Sequence, residues 1–227
     1  MMSCYPFSIP EHHSTLPTSD LHHTGRLYAA FGVHPHEASK WNDEVEARFV
    51  AAMAHPRVLA WGECGLDYHY DMSPRDVQQR VFVRQMELAV QHGKPLVVHT
   101  REAEEDTVRL MTDHLPAHWP VHIHCCTSSR AMVEPLLAFF PNLKVGFTGC
   151  VTFPSANDIR DTVAVVPVER LLLETDAPFM APVPFRGSVC HSGHVPWVAA
   201  RLAAEKGVSV EELVRVTRAN AKQLYGV

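Results

Sequence analysis

Carboxylates and imidazoles that close short apolar runs are the residues of this chain equipped for chemistry. The run Val58-Leu59-Ala60-Trp61 leads into Gly62-Glu63-Cys64-Gly65-Leu66-Asp67. Such a run suits a strand buried on both faces. A carboxylate at its tip is costly to bury unpaired, so Glu63 requires a cation, a metal or a proton beside it. For Glu63 alone, a salt bridge to an arginine is the plain alternative. The same construction recurs at Val33-His34-Pro35-His36, His99-Thr100-Arg101, His124-Cys125-Cys126 and Glu174-Thr175-Asp176-Ala177-Pro178. A lone strand-tip histidine is more often a hydrogen-bonding group than a ligand. Several strand tips carrying ligand-type residues reverse that preference.

Histidines and carboxylates gathered at one place are the ligand set of one or two divalent metals. A bound metal lowers the pKa of water and polarises a scissile ester, amide or phosphoryl group. Asp176 or Glu63 could orient the nucleophile as well as hold metal. Arg101, two residues past His99, could clamp an anionic oxygen. The residue pattern alone leaves the substrate open among ester, amide and phosphodiester.

These residues meet only if the elements bearing them converge. Apolar runs over 26–32, 58–61, 95–98, 121–123, 144–147 and 170–173 read as strands. Helices are expected over 43–54, 73–92, 102–113, 130–139 and 155–163, with two more over 194–206 and 210–224. Ser73 before Pro74 reads as a helix cap, as does Ser155. Strict strand–helix alternation predicts a parallel sheet. In a TIM-type (β/α) barrel the carboxyl ends of all strands open on one mouth. His34, Glu63, Asp67, His99, Arg101, His124, Glu174 and Asp176 then form a single site.

Composition sets the bounds. With 227 residues the chain suits one sizeable core, 46% hydrophobic and 20% charged. Residues 1–25, rich in Pro, Ser, Thr and His, read as an irregular tail, and 26–227 as the hydrolase domain. A net charge of −5 argues against broad nucleic-acid binding through a basic surface. No apolar stretch is long enough to span a bilayer, and no secretory signal opens the chain. The six cysteines show no Cys-x-x-Cys pair, so they read as free thiols in a reducing, cytoplasmic or nuclear compartment.

Gly32-Val33-His34-Pro35-His36, Gly62-Glu63-Cys64-Gly65-Leu66-Asp67, His99-Thr100-Arg101, His124-Cys125 and Glu174-Thr175-Asp176-Ala177-Pro178 together resemble the ordered motifs of the TatD family of metal-dependent deoxyribonucleases. The resemblance runs from about Leu27 to Val227 and is nearest the TATDN-type eukaryotic branch. It implies a TIM barrel and Mg²⁺- or Mn²⁺-dependent hydrolysis of DNA phosphodiesters, usually 3′-5′ exonucleolytic, with Zn²⁺ as the other candidate ion. It implies metal ligands at Glu63, His99, His124 and Asp176, with Glu63, Asp176 and His34 catalytic. Substrate would meet His34, Arg101 and Asp67, with a second metal as the other partner open to His34.

The chain departs from the family pattern twice. No Asp-x-His-x-His strand opens it, and only six of the eight barrel units are recognisable, the first two being absent. Cys190-His191-Ser192 stands where many relatives carry Asn-Glu-Pro. An unclosed barrel exposes strand edges, so the chain is expected to be unstable, to dimerise, or to be an incomplete form. Two other readings follow from the same residues: hydrolysis of another ester or amide, and a catalytically impaired form that only binds.

Overall fold

The computed structural model describes residues 27–227. The expected tail over 1–25, and Arg26 of the first expected strand, lie outside the described residues. Six parallel strands run in sequence order across one sheet: β1 (Ala29–Phe31), β2 (Val58–Asp67), β3 (Leu96–Arg101), β4 (Val121–Ile123), β5 (Leu143–Phe147) and β6 (Leu171–Leu173). Helices α1 (Asp43–Met53), α2 (Arg75–Gln91), α3 (Glu104–His114), α4 (Arg130–Phe139) and α5 (Asn157–Val165) connect them, and α6 (Val195–Lys206) and α7 (Val210–Tyr225) follow β6. These are six βα units of a TIM-type barrel, with β1 and β6 at the two ends of the sheet among the described residues.

The apolar runs become strands because both faces of each are covered. Trp61, Leu66, Val98, Ile123, Val145 and Leu171 are all fully buried against helix residues such as Phe82, Met86, Met111 and Leu136. Each large side chain so buried contributes about 1.5–3 kcal/mol. On the other side of the sheet, Ala30, Ala60 and Val97 make a small separate cluster with Tyr225 of α7. Lys94 bonds the Val58 carbonyl at 2.6 Å, at the start of β2 and away from the carboxyl ends.

Local structure corrects the sequence reading where side chains are used for tertiary contacts. β2 does not stop at Trp61 but continues to Asp67, so Glu63 lies within the strand and not at its tip. Glycine makes this continuation feasible. A Cβ on Gly62 would come within 2.4 Å of the Val97 carbonyl oxygen, and one on Gly65 within 1.9 Å of that of His99. Both adopt positive φ, which glycine tolerates without steric cost. Ser73 is not the cap of α2. Its buried hydroxyl donates to the His36 carbonyl at 2.9 Å and accepts from Ser39 N–H at 3.1 Å, tying the segment after β1 to the helix start. Ser155 is exposed and does not cap α5, which begins at Asn157 after Ala156.

Candidate metal centre

The segment after β1 brings in His34 through a backbone pinned from α2. Gln85 accepts from Val33 N–H at 2.7 Å and donates to the Val33 carbonyl at 3.0 Å, and it also accepts from Trp61 Nε1 at 3.2 Å. His34 then starts a 3₁₀ turn over Pro35–Lys40, and its Nδ1 accepts from His36 N–H at 3.2 Å. That bond places the ring proton on Nε2, which lies 3.8 Å from Glu63 Oε1.

Glu63 and His99 face each other across neighbouring strands, with Glu63 Oε1 2.8 Å from His99 Nδ1. His99 Nε2 lies 3.1 Å from Asp67 Oδ2, which also receives His36 Nε2 at 3.0 Å. The other Asp67 oxygen accepts from the N–H groups of His69 and Tyr70 at 3.0 and 3.2 Å. Asp67, expected to touch substrate, is only 1% exposed and wholly occupied in this network. Its Oδ2 lies between the rings of His36 and His99.

A second group surrounds Glu174. Its Oε1 lies 2.8 Å from both His124 Nδ1 and His122 Nε2, and its Oε2 accepts from Cys125 N–H at 2.8 Å. The His122 contact has the distance of an ion pair without hydrogen-bond alignment. His122 Nδ1 lies 2.6 Å from the Tyr225 hydroxyl. His124 Nε2 is 3.5 Å from Asp176 Oδ1, and Asp176 stays a third exposed. A cavity of about 340 Å³ opens beside this group, lined by His122, His124, Glu174, Tyr28, Leu172 and Tyr225 among others. Within each of the two groups, His34–Glu63–His99 and His122–His124–Glu174, one ligand atom per residue lies within 4.8 Å of the others.

Electrostatics joins the groups. Burial raises the Glu63 pKa, but the His124 charge and the His99 hydrogen bond outweigh it and hold the carboxyl at about 2. Glu174 is pushed up by burial and pulled down further by His122 and His124, ending well below the usual carboxylate range. Burial lowers the His99 pKa, yet its bonds to Asp67 and Glu63 raise it to about 8. His124 is likewise raised against burial by Glu174 and Glu63. His34 goes the other way, lowered to about 3 by burial and by the charge of His99, so its ring is neutral. Cys64, by contrast, is fully buried and its thiol is pushed up, which suits packing.

The expected ligands Glu63 and His99 are thus in contact, as are His124 and Asp176, and the charges of Glu63 and His124 act on each other. Arg101 stands apart, its guanidinium carbon 4.8 Å from the centre of the Tyr70 ring. Reading strand tips overlooked His122, which lies inside β4. Its spacing of two from His124 was the available signal, because alternate strand residues share a face. Glu174 stood in the expected cluster, but its grip on both histidines is visible only in three dimensions.

A parallel βα sheet with this histidine–carboxylate cluster at its carboxyl ends defines a metal-dependent hydrolase of the barrel class. The chain belongs to the TatD family, whose model, TatD related DNase, matches residues 8–226, starting earlier than the motif resemblance. It is 38% identical to the human 3′-5′ RNA nuclease TATDN2 over 88% of its own length, and spans 27% of that relative. It is 37% identical to the metal-dependent hydrolase YabD of Bacillus subtilis, covering 88% of this chain and 78% of that one. It is 34% identical to the 3′-5′ ssDNA/RNA exonuclease TatD of Erwinia amylovora, covering 90% and 80%. The crystal structure of YJJV, a TatD homolog from Escherichia coli K12, superposes with a TM-score of 0.83 at 29% identity, over 90% of this chain and 79% of that one. No helix among the described residues is long and apolar enough to cross a membrane.

Proposed function

We propose that this chain hydrolyses DNA phosphodiester bonds from the 3′ end, using Mg²⁺ or Mn²⁺ held by Glu63, His99, His124 and Asp176. One observation carries the reading. The ion-pair partners of Glu63, Asp67, Glu174 and Asp176 among the described residues are all histidines. Carboxylates balanced only by protons on imidazoles fit a divalent cation, which binds as those protons leave. A buried His122 Nε2 without an aligned hydrogen bond fits the same purpose. A cation bound here supplies Lewis acidity, lowering the pKa of water and polarising a phosphoryl oxygen.

The chain's own residues do the rest. Asp67 orients His99 through Nε2, and Glu174 orients His124 through Nδ1; such carboxylate partners fix ring direction and tautomer. His34 keeps its proton on Nε2 and donates a hydrogen bond through it to a non-bridging phosphate oxygen. Arg101 offers its guanidinium to an adjacent phosphate. Asp176, the most exposed carboxylate of its group, accepts the proton of the attacking water.

The test is a 5′-labelled single-stranded DNA incubated with Mg²⁺, Mn²⁺ or EDTA, beside an RNA of the same sequence. Stepwise shortening from the 3′ end with metal, and none in EDTA, is expected. A folded protein that takes up Mn²⁺ yet shortens neither strand overturns the reading.

A further inference from the structure

Two aromatic side chains are held out in water beside the cluster, and each is fastened to one of its carboxylate residues. Tyr70 is 56% exposed, and its N–H donates to Asp67 Oδ1 at 3.2 Å. Phe179 is 63% exposed, and its N–H donates to the Asp176 carbonyl at 2.7 Å. Tyr70 is also braced in space. The rings of His36 and His69 meet it nearly perpendicularly, at centroid distances of 5.4 and 4.6 Å, and Arg101 lies against it. The Arg101 guanidinium has no carboxylate partner among the described residues. A fixed, solvent-facing ring beside an unpaired cation has the chemistry of a nucleobase platform with a phosphate contact next to it.

We propose that Tyr70 stacks a nucleobase of the substrate strand while Arg101 takes the adjoining phosphate. This rests on the nuclease reading above. A base inside a duplex has both faces covered by its neighbours, so the base that reaches Tyr70 is terminal or unstacked. Stacking reads no base edge, so the site tolerates sequence. The ring reaches the cluster through one neighbour: His36 meets Tyr70 and bonds Asp67, which bonds His99.

The experiment measures binding without turnover. A fluorescent single-stranded DNA is titrated in EDTA and followed by anisotropy, beside the same strand with abasic 3′-terminal nucleotides. Tyr70→Ala is expected to weaken binding of the normal strand about tenfold, and Tyr70→Trp to preserve it. On the abasic strand, parent and Tyr70→Ala should bind alike. Equal binding of the normal strand by parent and Tyr70→Ala overturns the site, as does an equal loss on both strands. If the Tyr70 pattern is found but the parent cleaves nothing with metal, the nuclease reading falls and the base site stands.

Discussion

Gly146 makes room for Glu174. A Cβ on this β5 residue would lie 1.9 Å from Glu174 Oε2 and 2.6 Å from His122 Nε2. The smallest side chain in the strand is therefore a condition for the carboxylate that orients His124. Gly146→Ala should displace Glu174 and weaken Mn²⁺ affinity by about 10–100-fold, the usual effect of losing a ligand's orienting partner. Calorimetric titration of Mn²⁺ reads this directly. Unchanged affinity would show that Glu174 does not set the centre.

Asp176 is assigned as both ligand and proton acceptor, and it is the least buried carboxylate of its group. Asp176→Asn should lower DNA hydrolysis by about a thousandfold or more. Its melting temperature should move little, since a partly exposed side chain contributes little to packing. A variant that cleaves like the parent would remove Asp176 from the mechanism.

Metal binding should stabilise the fold, because the unfolded chain has no assembled site. At a hundred times the dissociation constant, linkage gives about 2.7 kcal/mol. For a chain of this size that is roughly 5–11 °C in melting temperature. Melts in EDTA and in excess Mn²⁺ give the difference. No shift would argue against a site that forms with the fold.

The metal-free protein should lose stability as pH rises above neutrality. His99 is raised in the fold to about 8. Its stabilising contribution is full below the unfolded histidine value of about 6.5 and disappears as pH passes about 8, a loss of about 2 kcal/mol. His124, also raised, acts in the same direction. Melts in EDTA at pH 6.5 and 8.5 should show the lower temperature at pH 8.5. Metal affinity should change oppositely, since the proton on His99 competes with the cation. Greater stability at pH 8.5 in EDTA would contradict the His99–Glu63–Asp67 network.

Gln85 holds the backbone that carries His34, with both ends of its amide bonded to Val33 and its oxygen also serving Trp61. Gln85→Leu should cost about 2–4 kcal/mol by stranding three buried partners. Urea denaturation measures it. A loss within experimental error would mean that water replaces the amide.

Strand–helix alternation and the parallel sheet could be read from the chain alone, as could the side chains that gather at one end of that sheet. Apolar runs spaced by amphipathic stretches leave few other solutions, and histidines and carboxylates beside those runs are too costly to bury without partners. Glu63, His99, His124 and Asp176 stood out as strand-end groups for that reason, and the fold brings Glu63 to His99 and His124 to Asp176. Tertiary structure decided the rest. That β2 runs on through Glu63 depends on how closely glycine lets it approach β3. That Asp67 is buried between the rings of His36 and His99 depends on packing, which local spacing does not encode. Ser73 had the residue type of a helix cap and was taken instead by the segment after β1. The partnership of Glu174 with His122 and His124 needs the space left by Gly146, a strand away. Spacing along a chain says which side chains share a strand face, while the distance between faces is set by packing.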